Sequence, residues 1–474
     1  MNDSLSAGKR PDPYSPDFIH TVKSWVDQHF SQIVEELKKL VTHQSLAFEG
    51  YDPAPLQESA TAVADLFHAG GLEEIHELTE YGDNGAASGP AIICRQPAAA
   101  NKPTVLLYAH HDVQPVGERA AWETNPWEAT EIDGRLYGRG TADDKAGIIV
   151  HWAAIRALEE LLGKDHGLGL TVFIEGEEEI GSPFFSKFLK NHERLLRADT
   201  IIVADSANWS VDVPALTTSL RGLLDGVIEV TVADHPVHSG IFGGPTLDAI
   251  TILSRIIAQL HTPDGELAIP GLEQTRWADV NYNEDDYRSQ TGAVEGLELA
   301  GTGNLADRMW NKAALNIIGL DAKPIEEASN SIVHTASAKF SMRLGPGMDP
   351  DEMMNALTEH ISGLDAFGAT VRVHPGEKGK PFVVAGDAPQ SVKMKQALSE
   401  AWGTETIETG LGGSIPFVAE LVATFPDAEI LLTGVEDPDT RAHAPNESLD
   451  LDVLRHAIEA EVLLLARMAY DVVE

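Results

Sequence analysis

Two histidines and an aspartate stand together at His110, His111 and Asp112, shortly after the apolar stretch from Val105 to Leu107. This stretch is predicted to be a buried strand, so the polar side chains lie where the strand ends. Imidazole and carboxylate groups side by side are what a zinc-like metal ion needs, or a general base with its orienting acid. The cluster is therefore a candidate metal or acid–base site.

Acidic residues and a further histidine follow other predicted strands or precede predicted helices. The segments are Asp143-Asp144-Lys145, Glu175-Gly176-Glu177-Glu178-Glu179, Ala204-Asp205-Ser206 and Ala442-His443-Ala444-Pro445-Asn446-Glu447. In open α/β sheets ligands bind beyond the carboxyl ends of the strands, so these segments are expected to converge. Converged, they offer nitrogen and oxygen ligands, a set that suits zinc, manganese or cobalt. A single acid after a strand more often caps the next helix, and it is the combination of segments that favours a metal site.

Two neighbours of these residues are interpreted differently. His111 follows His110 directly, but successive side chains at a strand end point in opposite directions, so a packing or supporting role is expected. Glu177 is likewise expected to be a neighbour of the site and not its base.

Alternating strands and helices are predicted to position these segments. Strands are predicted at 91–95, 104–108, 170–175, 201–204 and 430–433, helices at 146–162 and 184–189, and a long amphipathic helix at 454–470. Near-continuous apolar strands separated by helices predict an α/β fold with a doubly wound, mainly parallel sheet.

The middle of the chain has a different pattern. Between residues 226 and 374 the order is strand, helix, strand, strand, helix, strand, which is that of a ferredoxin-like α+β domain. The stretch 261–312 is too long for a loop and is predicted to be an insertion with structure of its own. We therefore expect a catalytic domain in two parts, residues 1–215 and 388–474, split by a lid or dimerisation domain at residues 216–387.

Composition limits the classes of function. The chain has 474 residues, 43% of them hydrophobic, and a formal net charge of −40 from 74 acids and 34 bases. A field this negative repels phosphate backbones and anionic membranes, so neither nucleic acid nor membrane is expected as a partner. Cys94 is the only cysteine, which excludes an internal disulfide framework. Because no transmembrane or secretory segment is recognisable, a cytoplasmic location is expected, ordinary or salty.

The ordered set His110-x-Asp112, Asp143-Asp144-Lys145, Glu178-Glu179, Asp205 and His443 resembles the di-zinc aminoacylase/carboxypeptidase G metallopeptidases, over nearly the whole chain. The resemblance is closest to the branch that contains cytosolic nonspecific dipeptidase and carnosinase. That branch has phrases similar to Gly138-Arg139-Gly140, Ser219-Leu220-Arg221-Gly222, His238-Ser239-Gly240 and Phe340-Ser341-Met342-Arg343-Leu344. One departure is Ala146, where the motif usually carries glycine.

The resemblance implies two divalent metal ions per subunit, zinc foremost, with manganese or cobalt as alternatives. It implies the following ligands: His110 and Asp205 for one ion, Glu179 and His443 for the other, and Asp143 for both. It also implies a cis peptide bond between Asp143 and Asp144.

The remaining catalytic roles follow from the same resemblance. Glu178 would be the general base that activates a metal-bridged water, and Asp112 would orient His110. His238, in the lid, would stabilise the oxyanion in the site of a neighbouring subunit, which implies a homodimer through the lid. Without the resemblance, His238 is more simply a surface histidine in a turn.

Four residues are candidates for binding the substrate. Arg343 could hold a terminal carboxylate bidentately, although an arginine in an alternating strand more often faces solvent beside a glutamate. Gly413 and Ser414 precede a predicted helix, whose free N–H groups could receive a carboxylate or could have no ligand. Asn330 could hold the substrate backbone.

The predicted function is a metal-dependent dipeptidase that hydrolyses dipeptides with a free C-terminus. The alternative is deacylation of N-acyl amino acids, or desuccinylation, at the same two-metal site. The fuller dipeptidase phrasing of the lid favours the first. A third hypothesis, a metal-binding protein without catalysis, is disfavoured because Glu178 is intact.

Overall fold

The computed structural model describes residues 11–83, 85–384, 386–413 and 416–473. The helices are α1 (Pro16–Val41), α2 (Ala54–Ala69), α3 (Lys145–Leu162), α4 (Phe185–Leu196), α5 (Ser239–Phe242), α6 (Ala249–Ala258), α7 (Glu284–Thr291), α8 (Leu305–Trp310), α9 (Pro350–Gly363), α10 (Pro389–Trp402), α11 (Pro416–Thr424) and α12 (Leu451–Met468). Within these described ranges, no helix combines the length and apolar character needed to cross a membrane.

The strands are β1 (Glu74–Leu78), β2 (Ala91–Gln96), β3 (Thr104–His110), β4 (Thr130–Ile132), β5 (Arg135–Tyr137), β6 (Gly169–Glu175), β7 (Thr200–Val203), β8 (Ala215–Leu220), β9 (Gly222–Thr231), β10 (Val237–His238), β11 (Ala314–Asp321), β12 (Ser331–Ile332), β13 (Thr335–Leu344), β14 (Thr370–Gly379), β15 (Phe382–Val383), β16 (Ile407–Leu411), β17 (Glu429–Leu432) and β18 (Ser448–Asp450).

The largest sheet contains the strands that end at the candidate site. Its order is β1-β2-β6-β3-β7-β17-β8-β15, and β16 also pairs with β8. The four strands β6, β3, β7 and β17 are parallel to their neighbours within this group, while β1, β2 and β8 pair antiparallel at its flanks. Because β3, β6 and β7 are buried along nearly their whole length, their sequences are continuously apolar. The sheet confirms the predicted α/β fold class.

Helix α3 connects this sheet to the acidic pair at residues 143 and 144. It packs on β3 and against α1 and α12, and it is buried on most of its surface. Because α3 begins at Lys145, Asp143 and Asp144 stand at its N-terminal end.

The C-terminal helix α12 differs from the amphipathic helix predicted from its sequence. Most of its side chains are buried on all sides, including Glu461 and Arg467. These charges are tolerated because each has a partner: Glu461 lies 2.8 Å from His151 Nδ1, and Arg467 pairs with Glu400. Glu461 and Arg467 thus form internal ion pairs, while Asp452 near the start of the helix is exposed.

The middle of the chain forms a ferredoxin-like α+β sandwich, as predicted. Strands and helices follow in the order β9-α6-β11-β13-α9-β14, and the antiparallel sheet has the order β11-β13-β9-β14. Alternate side chains of β9 and β13 are buried, which gives the sheet one core face. The predicted insertion at 261–312 contains α7 and α8.

The chain divides into two compact units. The first comprises Met1–Thr218, Val384–Glu408 and Glu420–Glu474, and the second comprises Ser219–Val383 and Thr409–Ala419. The sequence-based boundaries, 215/216 and 387/388, placed the segment Thr409–Ala419 in the catalytic part. The assignment of lid and catalytic roles to these parts stays a prediction.

Candidate metal centre

The candidate ligands follow the carboxyl ends of neighbouring parallel strands in the first unit. His110 is the last residue of β3, and Asp205 comes two residues after β7. Glu178 and Glu179 form a short 3-10 turn after β6, and His443 lies between β17 and β18. Because β6, β3, β7 and β17 are adjacent, these side chains come together at one edge of the sheet.

Six of the predicted residues form two groups of three. The first group is His110, Glu178 and Asp205, and the second is Asp143, Glu179 and His443. Within each group the possible ligand atoms lie within 4.8 Å of one another. Each group offers one imidazole and two carboxylates, which suits zinc, manganese or cobalt.

Asp143 lies between the two groups. Its Oδ1 is 3.2 Å from His110 Nε2, and its Oδ2 is 2.9 Å from His443 Nε2. His443 Nε2 is also 3.3 Å from Glu179 Oε2. One carboxylate oxygen toward each imidazole is the arrangement of a ligand shared by two metal ions.

Asp112 connects His110 to both glutamates. The Nδ1 atom of His110 lies 3.1 Å from the backbone oxygen of Asp112 and 3.4 Å from its Oδ1. Because a carbonyl oxygen can only accept, Nδ1–H is the donor and Nε2 is left to bind a metal. The Asp112 carboxylate in turn accepts the backbone N–H groups of Glu178 and Glu179, at 3.1 and 3.0 Å. One residue thus fixes both the imidazole, through its backbone oxygen, and the turn that carries the glutamates, through its carboxylate.

Two buried atoms indicate where metal ions fit. Among the described residues, His110 Nε2 and Glu179 Oε1 are buried and make no hydrogen bond. Buried polar atoms are normally satisfied, so such atoms call for another partner. Because the two atoms belong to different groups of candidate ligands, the residues present fit divalent metal binding.

The electrostatics of the two groups agree with this interpretation. Burial is the main cause that raises the pKa of Glu178 to about 7. Burial and the charge of Glu178 raise the pKa of Asp205 well above its ordinary value. Hydrogen bonds with Asp143 and Glu179 raise the pKa of His443 to about 10. A carboxylate cluster of this kind favours a cation, and a divalent ion supplies the largest local positive charge.

The loop that carries His443 has an unusual backbone. His443 and Asn446 have φ angles of 62° and 64°, in the left-handed region that residues other than glycine seldom adopt. Asn446 holds this loop from outside, because its Oδ1 accepts the Glu123 N–H at 2.8 Å and its Nδ2 donates to the Ala121 oxygen at 3.1 Å. Such conformations persist where surrounding contacts fix them, often at functional sites.

His111 and Glu177 have contacts outside the two groups. The Nε2 of His111 lies 2.8 Å from the Pro90 oxygen and donates to it, and burial lowers the pKa of His111 to about 4. The Glu177 carboxylate accepts the backbone N–H groups of Gly89 and Phe184, each at 3.0 Å. The first is therefore a neutral, packed side chain, and the second organises the loop before α4.

The acidic pair before α3 has the backbone that the resemblance implies. The peptide bond between Asp143 and Asp144 is cis. The departure at Ala146 is accommodated, since its side chain is buried in α3. The close approach occurs at the next residue, where a Cβ on Gly147 would lie 2.4 Å from Asp144 Oδ1 and 2.9 Å from the Ala204 oxygen.

His238 and Asn330 lie together in the second unit. Both line a cavity of about 680 Å³, with Lys323 and His334 among its other lining residues. His238 is exposed, and its Nδ1 accepts the Gly240 N–H at 3.1 Å. Two of the predicted substrate-side residues therefore share a cavity that carries positive and titratable groups.

Arg343 lies in β13 of the second unit, close to an arginine that the sequence analysis did not select. The pKa of Arg221 is lowered to about 10 by burial and by the positive charge of Arg343. Arg221 Nε donates to the Gly412 oxygen at 3.1 Å, beside the predicted Gly413. Ser414 lies outside the described residues. A carboxylate-binding role for Arg343 stays a prediction.

Comparison with known proteins identifies the family. Residues 106–467 match the sequence profile of Peptidase family M20/M25/M40. The chain belongs to this family. It is 34% identical over 443 residues to a cysteinylglycine-S-conjugate dipeptidase of Corynebacterium striatum, covering 91% of this chain and 95% of that protein. It is 26% identical over 472 residues to a Beta-Ala-His dipeptidase of Homo sapiens, covering 92% and 90%.

Solved structures agree with this membership of the M20/M25/M40 family. Human carnosine dipeptidase 1 has a TM-score of 0.74 at 25% sequence identity, covering 96% of this chain and 99% of that chain. The dipeptidase Dug1p of Saccharomyces cerevisiae has a TM-score of 0.74 at 22% identity, covering 95% and 98%. Both structures show the predicted fold. The family profile and the sequence relatives confirm the predicted family, its dipeptidase branch and metal-dependent dipeptidase activity.

The sequence analysis missed three residues that contact candidate ligands or the segments that carry them. Gln114 Nε2 donates to Glu179 Oε2 at 2.7 Å. Arg139 and Glu447 form a buried ion pair of 2.6 Å. Each stands four residues from a candidate ligand in the sequence, and that proximity was the available signal.

Proposed function

We propose that this chain hydrolyses dipeptides with a free C-terminus, using two divalent metal ions per subunit, with zinc foremost and manganese or cobalt as alternatives. The observation that carries the proposal is the position of Asp143, with one oxygen toward each of the two imidazoles. The names of the relatives, a cysteinylglycine-S-conjugate dipeptidase and a Beta-Ala-His dipeptidase, support a dipeptide substrate.

The ligand roles in this proposal follow the two groups of side chains, except that Glu178 of the first group is assigned to catalysis. The ligands are His110 and Asp205 for the first ion, Glu179 and His443 for the second, and Asp143 for both. When bound, the ions supply Lewis acidity that makes water acidic and polarises the scissile carbonyl. Asp112 keeps the His110 Nε2 lone pair available by accepting at Nδ1–H.

Glu178 is the proposed general base. Its carboxylate belongs to the first group, and its pKa, raised to about 7, lies near neutral pH. A base with such a pKa can take a proton from the attacking water and return it to the leaving amine. Glu177 is excluded from this role because its carboxylate is engaged by two backbone N–H groups.

The second unit supplies the substrate-binding residues in this proposal. Arg343 receives the terminal carboxylate, Gly413 and Ser414 offer backbone N–H groups, and Asn330 holds the substrate backbone. His238 stabilises the oxyanion, and a homodimer through the second unit accompanies this role. The exposure of His238, at the edge of a cavity, supports an interaction with something outside its own fold. A cytoplasmic location stays a prediction.

The proposal is tested by measuring metal content and hydrolysis on the same preparation. Protein dialysed against zinc or manganese should hold two ions per chain and cleave Cys-Gly or β-Ala-His peptides. N-acetyl and N-succinyl amino acids serve as the comparison panel. Two bound ions without turnover of any dipeptide would overturn the dipeptidase proposal, and faster turnover of the N-acyl compounds would replace it with deacylation.

A further inference from the structure

A buried ion pair joins residues that are 308 positions apart in the first unit. The side chains of Arg139 and Glu447 are 1% and 0% exposed, and Arg139 Nη1 lies 2.6 Å from Glu447 Oε2. Neither belongs to the two groups of candidate ligands. Each nevertheless stands four residues from one, since Arg139 precedes Asp143 and Glu447 follows His443.

Glu447 accepts hydrogen bonds from several backbone N–H groups of the segment that ends at Asp143. Its Oε2 accepts the Gly140 N–H at 3.1 Å, and its Oε1 accepts the N–H groups of Ala142 and Asp143 at 3.1 and 3.2 Å. Its own backbone oxygen accepts the Gly138 N–H at 3.0 Å. One residue of the His443 loop therefore holds the whole turn from 138 to 143.

Arg139 extends this arrangement to two further segments. Its Nη2 lies 3.4 Å from the backbone oxygen of Pro115 and 3.4 Å from that of Ala444. Pro115 comes after His110 and Asp112 on the same segment, and Ala444 follows His443 directly. The guanidinium group thus contacts the segments that carry ligands of both groups.

We propose that Arg139 and Glu447 are a positioning pair that sets the distance between Asp143 and the two imidazoles, and so the affinity of the site for its metal ions. This inference rests on the proposed function, because it takes His110, Asp143 and His443 as ligands. Metal–ligand distances must be correct to about 0.2 Å, so the three segments that carry the ligands must be held at fixed positions relative to one another. Arg139 and Glu447 hold them there through hydrogen bonds and do not bind the ions themselves.

A purely structural role is the alternative. A buried ion pair often adds little net stability, and breaking it destabilises a fold because one charge stays buried without a partner. A loss of stability would therefore not distinguish the two roles. Metal affinity distinguishes the two roles. Loss of a buried ion pair far from the site lowers the stability of the fold but does not move the metal ligands, so metal affinity does not change.

The decisive variant is Glu447→Gln, which keeps the size of the side chain but replaces one acceptor oxygen with an amide that opposes Arg139 and the Gly140 N–H. Zinc affinity is measured on the whole chain by competition with a chromogenic chelator, together with zinc content, kcat and KM. We expect the affinity of at least one ion to fall about 10–100-fold, the typical cost of losing a partner behind a ligand. At saturating zinc kcat should recover toward wild type, while KM stays within about twofold.

Glu400→Gln is the matched control, because Glu400 pairs with the fully buried Arg467 and neither belongs to the candidate site. It should lower the melting temperature but leave zinc affinity and kcat unchanged. Arg139→Lys is the second variant, which keeps the charge but gives up the forked contacts, and it carries the test if Glu447→Gln does not fold. We expect it to weaken zinc binding several-fold.

The inference is overturned if the folded variants bind zinc as tightly as wild type, or if Glu400→Gln weakens zinc binding equally. Failure of the proposed function has a different signature. In that case the wild-type chain itself would not hold two ions, or would hold them without cleaving dipeptides.

Discussion

The two units present their candidate functional residues in opposite ways. In the first unit, His110 has a side chain that is 1% exposed, with both ring nitrogens facing carboxylate or carbonyl oxygens. In the second unit, His238 is exposed and caps a short helix through the Gly240 N–H. The ring of His110 is enclosed by the protein, whereas the ring of His238 is open to solvent.

The difference in exposure corresponds to two tasks, metal binding and substrate binding. Metal ligands must be held within tenths of an ångström before the ion arrives, and the side chains of His110, Asp143 and Glu179 are accordingly 8% exposed or less. His443, whose side chain is 58% exposed, is the exception among the candidate ligands. Residues that meet a substrate must remain reachable, so they stand at a cavity such as the one lined by His238 and Asn330. Substitutions of the candidate ligands in the first unit should therefore change metal content and kcat, and substitutions of the carboxylate-binding residues in the second unit should change KM. His238 is the exception in the second unit, because loss of an oxyanion donor lowers kcat.

The largest effect is expected from Asp143→Ala, which removes the carboxylate that contacts both His110 and His443. Turnover should fall by about 10³-fold or more, because bound metal supplies several kcal/mol of transition-state stabilisation. Metal content per chain should fall with it, measured by elemental analysis. Asp234→Ala, at a side chain in the second unit that is 91% exposed, is the control. An Asp143→Ala protein that keeps two ions would contradict the shared-ligand role.

The next largest effect is expected from Glu178→Gln. Loss of the general base should lower kcat by about 10²–10⁴-fold, while both ions stay bound because none of the proposed metal ligands is changed. Pre-steady-state and steady-state hydrolysis, with metal analysis, measure this. Glu177→Gln is the adjacent control and should keep kcat within a few-fold of wild type. Comparable losses in the two variants would remove the assignment of the base.

In the second unit, Arg343→Met should act mainly on substrate binding. A charge-assisted contact to a carboxylate contributes about 1.5–3 kcal/mol, so KM should rise about 10–100-fold. Metal content should not change, which is the reverse of the Asp143 result. Arg372→Met, at an exposed arginine of β14, is the control. A fall in kcat at constant KM would show that the two units do not divide the tasks in this way.

A stability effect in the first unit is expected at Glu175, whose buried carboxyl accepts the Tyr108 hydroxyl at 2.6 Å. Burial raises the pKa of Glu175 to about 8. The folded state therefore holds this proton more tightly than the unfolded state, and stability is lost as the pH rises from about 4.5 to about 8. Glu175→Gln should reduce that loss by an amount on the order of 3 kcal/mol, measured by urea unfolding between pH 5 and pH 9.

The control for this prediction lies in the second unit. Glu229 is in β9 and its side chain is 30% exposed. Glu229→Gln should leave the pH dependence of unfolding unchanged. If Glu175→Gln also leaves the pH dependence of unfolding unchanged, Glu175 is not the residue whose buried carboxyl lowers stability at high pH.

The sequence could predict the strand ends because the relevant signals are local. An apolar run followed at once by His110, or by Glu175 and its neighbours, marks both the strand and the site in a few residues. The ferredoxin-like order could be predicted for the same reason, since β9 and β13 alternate buried and exposed positions. The family resemblance then supplied the roles.

The sequence alone could not show which residues that lie far apart in the chain contact each other after folding. Glu447 was quoted in a segment but given no role, because its contacts with Arg139 and Asp143 exist only after folding. In α12, Glu461 resembles an exposed helix position, and its buried partner His151 is 310 residues away. The periodicity of a sequence predicts a helix or a strand, but it does not show which charged residue of another helix or strand will contact it.

The position of β17 in the large sheet has a consequence for the synthesis of the chain. β17 pairs with β7, but residues 204–428, which include both segments of the second unit, must be made before β17 emerges from the ribosome. Until then β7 presents an apolar strand edge, a template for aggregation. We expect nascent chains that stop before residue 429 to bind chaperones strongly, and ribosome profiling of chaperone-bound chains should show release after β17 is complete.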